Sequence, residues 1–227
     1  MLALKNITKI YSSNIIALDN VSFEVNSGEF VLLIGKSGAG KSTLLKILRR
    51  EEDPTKGQVY FKNKNLLELS RKRLGEIRRK TSAIHQDFKL LNKKTVFENI
   101  AVPLEILGKS PKEIKNEVYK VVEKLKIKSK LDQIAGTLSG GEKQKVCLAR
   151  CLISKPEVIL ADEPTGNLDP LASYEFIEIL KEINKDGVSI ILATHNREIV
   201  ESLKTRVLTL NDGRLIRDEN PGKYTLV

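Results

Sequence analysis

The residues Gly35-Lys36-Ser37-Gly38-Ala39-Gly40-Lys41-Ser42-Thr43 carry the spacing G-x-x-x-x-G-K-S and hold the clearest chemistry in the chain. Glycines in this pattern let a backbone wrap closely around phosphate oxygens, with successive N–H groups aimed inward. The apolar run Glu29–Ile34 precedes the loop and Leu44-Leu45-Lys46-Ile47-Leu48 follows it, the strand-then-helix setting that the motif needs. A chance glycine-rich turn would lack that setting. The helix N-terminus adds partial positive charge at the same place. Lys41 is then placed to bind β- and γ-phosphates, and the Ser42 hydroxyl to bind Mg²⁺. A second chemical feature is Asp162-Glu163, which ends the apolar run Val158-Ile159-Leu160-Ala161. A buried strand ending this way sets two acids at the sheet edge where open α/β folds bind ligands. Asp162 suits a Mg²⁺ partner, and Glu163 suits polarising an attacking water.

The elements that must position these groups follow from periodicity. Strand-like runs occur at Leu2–Ile7, Val21–Val25, Glu29–Ile34, Gln58–Phe61, Thr81–His85, Val158–Ala161 and Val188–Ala193. Arg206–Leu210 and Arg214–Arg217 flank Asn211-Asp212-Gly213, a hairpin turn. The clearest helix begins at Ser110-Pro111-Lys112-Glu113, a capping box with proline at the first helical position. Ile114, Val118, Val121, Val122 and Leu125 then form one apolar stripe. The stretch 88–138 therefore reads as mainly helical, inserted in a chain of buried strands.

The chain has 227 residues, 41% of them hydrophobic and 30% charged, with a formal net charge of +10. Large-scale disorder is excluded by the even spread of Val, Ile and Leu. The longest apolar run, Phe30 to Ile34, is far short of the ~20 residues that cross a bilayer. The N-terminus offers no apolar stretch for a signal peptide, so a cytoplasmic location is expected. Cys147 and Cys151, four apart, would share a helix face, which suits burial as small apolar groups better than a disulfide. From Lys62 to Lys94, 11 basic residues face 3 acidic ones. That run is a solvated face, or a surface for nucleic acid or anionic membrane.

Leu138-Ser139-Gly140-Gly141-Glu142 stands 21 residues before Glu163 and opens an apolar-rich helical stretch, Val146 to Ile153. Together with the phosphate loop and the Asp-Glu pair, it resembles the ATP-binding subunits of ABC transporters. Tyr11, Gln86, Asn167-Leu168-Asp169 and His195 stand in the family's order around these motifs, so the resemblance covers essentially the whole chain. It implies an α/β fold of the P-loop NTPase (ABC ATPase) type, with a core mixed sheet, an antiparallel β-subdomain and an inserted helical subdomain. One ABC ATPase domain would span 1–227, with the α/β core and β-subdomain in 1–86 and 155–227 and the helical subdomain in 87–154.

The resemblance also implies roles. Tyr11 would stack on adenine. Gly35, Ser37, Gly38, Ala39, Gly40, Lys41, Ser42 and Thr43 would cradle the phosphates of ATP. Ser42, Gln86 and Asp162 would hold Mg²⁺. Glu163, His195, Gln86 and Lys41 would carry hydrolysis. Ser139, Gly140 and Gly141 would contact the γ-phosphate held by a second subunit, with Asp169 linking the two sites. One phosphate loop and one Ser139 motif per chain imply a head-to-tail homodimer around two ATP molecules. Lys145 stands where many members have Arg, and Asn196 where many have Asp.

Within the family, His85-Gln86-Asp87-Phe88-Lys89-Leu90-Leu91 and Thr95-Val96-Phe97-Glu98-Asn99-Ile100 are most similar to the cell-division branch, the FtsE type. That branch implies an FtsX-like integral membrane partner, control of cell-wall hydrolases, and a peripheral position on the cytoplasmic, anionic membrane face. The alternative is the motor of a lipoprotein-release or macrolide exporter. A nucleic-acid role fits poorly: Ser139 follows Gln86 by 53 positions without sustained heptads, and the chain has one ATPase domain rather than two.

Overall fold

The computed structural model describes residues 1–12 and 14–225. Its first half runs β1 (Leu2–Ile10), β2 (Ile16–Val25), β3 (Phe30–Ile34), α1 (Lys41–Leu48), β4 (Lys56–Phe61), β5 (Lys64–Asn65), α2 (Arg71–Lys80) and β6 (Thr81–Ile84). Three helices follow: α3 (Val96–Ile106), α4 (Pro111–Lys124) and α5 (Gly140–Leu152). The rest is β7 (Val158–Asp162), α6 (Pro170–Lys185), β8 (Ser189–Ala193), α7 (Arg197–Leu203), β9 (Arg206–Asn211) and β10 (Arg214–Glu219).

The large sheet has the order β10-β9-β3-β8-β7-β6, all parallel except β10. Leu32 stands opposite Leu192 on one side and Val207 on the other. Strand alternation then divides β3 between two cores. Phe30, Leu32 and Ile34 face a core shared with α3 to α7. Val31 and Leu33 face a second core, built from α1 and the antiparallel sheet β2-β1-β4-β5. The strands that carry functional loops are thus buried on both faces, which is why they read as continuous apolar runs.

The core mixed sheet, the antiparallel sheet and the helical insertion stand as expected, but several elements differ in extent. β1 and β2 are longer than the alternation suggests. They pair through irregular register between Leu4 and Ile10, and Asn6 and Asn20, both with φ 52°, face each other through a 3.0 Å side-chain hydrogen bond. Such bulges break a period-two pattern without ending the strand. Helix α2 is strongly basic, with Leu74 and Ile77 its two large apolar residues and Ile77 its one buried residue. Helix α4 begins as its cap specifies, with Ser110 and Glu113 in a reciprocal capping box and Pro111 at N1.

Cys147 and Cys151 lie buried on α5 as free thiols. Their Sγ atoms donate to the carbonyls of Phe88 (2.9 Å) and Ala83 (3.2 Å). Burial pushes the two thiols up to about 12 and about 11, so both stay protonated and inert. Among the described residues, no helix is long and apolar enough to cross a membrane.

Candidate nucleotide site

At the carboxyl edge of β3, the chain turns into α1 through a loop that only small residues permit. Gly40 caps α1 with φ 101°, and a Cβ there would come 2.5 Å from the Ala17 carbonyl. A Cβ on Gly35 would meet the Leu210 carbonyl at the same 2.5 Å. The loop is therefore pressed onto β2 and β9, and its outer side opens to a cleft of about 690 Å³. Ser37, Gly38, Gly40, Lys41, Ser42 and Thr43 line this cleft together with Tyr11, Gln86, Glu163 and His195. Gly35 and Ala39 lie buried beneath it. The first-turn N–H groups of α1 have no intrahelical partners, so this wall is an anion-binding one. Tyr11 sits at the rim, its hydroxyl 3.4 Å from Thr43 Oγ1 and its ring 5.1 Å from the Lys9 ammonium.

The charged groups converge on Glu163. It follows β7 with φ 46°, a left-handed conformation costly for a residue with a Cβ and typical of functional turns. Its amide donates to the Ala193 carbonyl at 3.0 Å, which fixes it beside the end of β8. Glu163 Oε1 lies 2.9 Å from His195 Nδ1 and 3.7 Å from Lys41 Nζ, while the His195 amide reaches Oε2 at 3.4 Å. The Lys41 ammonium also donates to the Gly35 and Lys36 carbonyls at 2.7 and 3.2 Å, spanning the loop. Asp162 behaves differently: its Oδ1 is buried without a hydrogen-bond partner among the described residues. A buried carboxylate oxygen left bare is costly, and a hard divalent cation satisfies it. Ser42 and Gln86 line the cleft and Asp162 does not; the three expected donors fit Mg²⁺ by their oxygen chemistry.

Gln86 stands in the turn after β6, and Asn167 Nδ2 donates to its carbonyl at 2.8 Å. The loop after Glu163 and the turn carrying Gln86 are thereby tied together.

The model of the ABC transporter family matches residues 18–166. The chain belongs to the ABC transporter ATP-binding family. It is 46% identical over 224 residues to the cell division ATP-binding protein FtsE of Bacillus subtilis (strain 168), covering 99% of this chain and 98% of that one. The methionine import ATP-binding protein MetN of Coxiella burnetii is 39% identical over 224 residues, covering 97% of this chain but 64% of its own length. The dimeric structure of the ABC transporter cassette MJ0796 superposes with a TM-score of 0.89 at 33% identity, over 99% of this chain and 100% of that one. The same cassette is known in a dimeric post-hydrolysis state bound to ADP and Pi, again with a TM-score of 0.89.

The chain is an ABC ATPase domain and binds ATP, and part of the site expected from the sequence lies outside this cleft. Ser139 caps α5 in a capping box with Glu142, and Gly140 and Gly141 form the first turn. A Cβ on Gly140 would come 3.0 Å from the Asn167 carbonyl, so this turn packs on the segment before Asp169. Asp169 caps α6 by accepting from the Ala172 amide at 2.9 Å. None of these four residues lines the cleft. Conversely, Tyr224 does line it and carries no motif that sequence reasoning could have found.

Proposed function

We propose that this ABC ATPase is the energy-coupling half of an FtsE–FtsX-like complex. Two copies close head to tail around two ATP molecules, and the cycle drives a membrane partner that regulates cell-wall hydrolysis in division. The observation that carries this reading is Glu163, held between His195 and Lys41 at the phosphate loop. Glu163 orients and polarises the attacking water, and His195 fixes Glu163 and reaches the γ-phosphate side. Lys41 balances phosphate charge, and Tyr11 stacks on adenine. Mg²⁺ at Ser42, Gln86 and Asp162 would neutralise the charge on the phosphates.

Ser139, Gly140, Gly141 and Asp169 sit outside the cleft, which supports a second copy completing each site. Residues 87–154 then act as the helical body that brings the Ser139 turn to the partner's ATP. Near-complete overlap with an FtsE protein, against partial overlap with a methionine importer, favours the cell-division branch. The basic surface of α2 supports a peripheral place on the anionic cytoplasmic face of the membrane.

The test is affinity purification of the chain from mildly solubilised native membranes, with mass spectrometry of what accompanies it. A compact FtsX-like membrane protein with one modest outside domain is the expected partner. Recovery of a lipoprotein-binding or macrolide-type permease would make the chain an export motor instead.

A further inference from the structure

The chain beyond β10 turns back over the start of β9. Gly222 N donates to the Thr205 carbonyl at 2.9 Å, and a Cβ on Gly222 would come 2.4 Å from Val207 Cβ. The segment therefore lies flat on β9 at a point where glycine is required. Two residues on, Tyr224 packs against the larger core, and its hydroxyl donates to the His195 backbone carbonyl at 3.0 Å. The same side chain lines the cleft that Tyr11 and Glu163 also line.

His195 needs such support. Its imidazole is 67% exposed, and it stands in the short link between β8 and the Asn196 cap of α7. An exposed ring on a link has several rotamers open to it. The hydrogen bond from Tyr224 fixes the peptide plane after His195, while the His195 amide and Nδ1 both address Glu163. One polar line thus runs from the tail through His195 to Glu163 and Lys41.

We propose that Tyr224 is a positioning residue that holds His195 against Glu163 and forms part of the wall of the cleft. The inference rests on the roles proposed above for His195 and Glu163. The test is Tyr224→Phe in the full chain, which keeps the ring and removes the hydroxyl. The chain has two histidines, His85 and His195, so their imidazole NMR signals are assigned by a single His195→Ala control. Tyr224→Phe should move the His195 signal and leave that of His85 in place. It should lower kcat for ATP by about three- to tenfold, the worth of one hydrogen bond, with KM within about twofold and an unchanged melting temperature. Tyr224→Ala should in addition raise KM, because the wall itself is lost. An unmoved His195 signal, or an unchanged kcat, overturns the proposal. A His195→Ala chain that hydrolyses ATP at the wild-type rate would instead overturn the roles on which it rests.

Discussion

Glu163 Oε1 accepts from His195 Nδ1 at 2.9 Å, and the Lys41 ammonium lies 3.7 Å from the same oxygen. The carboxylate is thus aimed by the His195 ring and flanked by the Lys41 charge while its side chain is 14% exposed. Glu163→Gln preserves the size and one acceptor oxygen but removes the charge that polarises water. The expected outcome is retained ATP binding with hydrolysis slowed by about 10²–10⁴-fold. Arrest before hydrolysis should also accumulate an ATP-bound dimer, read by size-exclusion chromatography with light scattering. A Glu163→Gln chain that stays monomeric and fully active would contradict the mechanism.

Lys41 is buried at 7% exposure and spans the loop through the Gly35 and Lys36 carbonyls. Its ammonium is the one positive side chain of the loop turned under the phosphate-binding turn, since Lys36 is exposed. Lys41→Ala removes the main compensating charge for the phosphates. Binding of a fluorescent ATP analogue should weaken by at least about 10²-fold, the scale of a charge-assisted contact in a shielded site. Wild-type affinity in this variant would place the phosphates elsewhere.

His85, next to Gln86, supplies a pH signature of the same region. Burial, and then the Lys89 charge, hold its pKa below the usual histidine value of 6.5. The folded chain therefore takes up this proton less readily than the unfolded chain. As pH falls through 6.5, the unfolded state binds more protons, so stability drops towards acid. The difference in melting temperature between the wild type and His85→Gln isolates this group from all others that titrate. Between pH 7.5 and 5.5, the wild type should lose about 1–3 °C more than the variant. A parallel pair of curves would mean that His85 is as solvated folded as unfolded.

How far the sequence speaks depends on whether a residue acts through its side chain. Lys41, Glu163 and the glycines were legible because phosphate binding demands those types at that spacing. Helix α4 was equally readable, from its Ser110-Pro111-Lys112-Glu113 cap. Helix α2 was hard to read because Leu74 and Ile77, at i and i+3, are its only large apolar residues among six basic ones. The Asn167 contact to Gln86 and the Tyr224 contact to His195 both end on backbone carbonyls. Carbonyls are present at every position, so such contacts have no compositional trace. They emerge only when the fold has brought distant segments together.

Within the basic run from Lys62 to Lys94, two sets of residues differ in the structure. Lys62 and Lys80 pair with Glu157, Lys94 pairs with Glu98, and Arg78 donates to the Arg49 and Arg50 carbonyls. Those cations serve the fold. Arg71, Lys72 and Arg73 are exposed, have no ion pair among the described residues, and occupy the first turn of α2. A helix N-terminus favours acids, so three cations there oppose the local stability of the helix. An anionic surface would explain their presence. Replacing all three by Glu should act in opposite directions on two readouts. The melting temperature should rise by about 1–4 °C, as the helix dipole is complemented. Binding to partner-free anionic vesicles should fall by about 10²-fold, and more steeply at low salt. Unchanged vesicle binding alongside a raised melting temperature would mark the triplet as a solvated face with no membrane role.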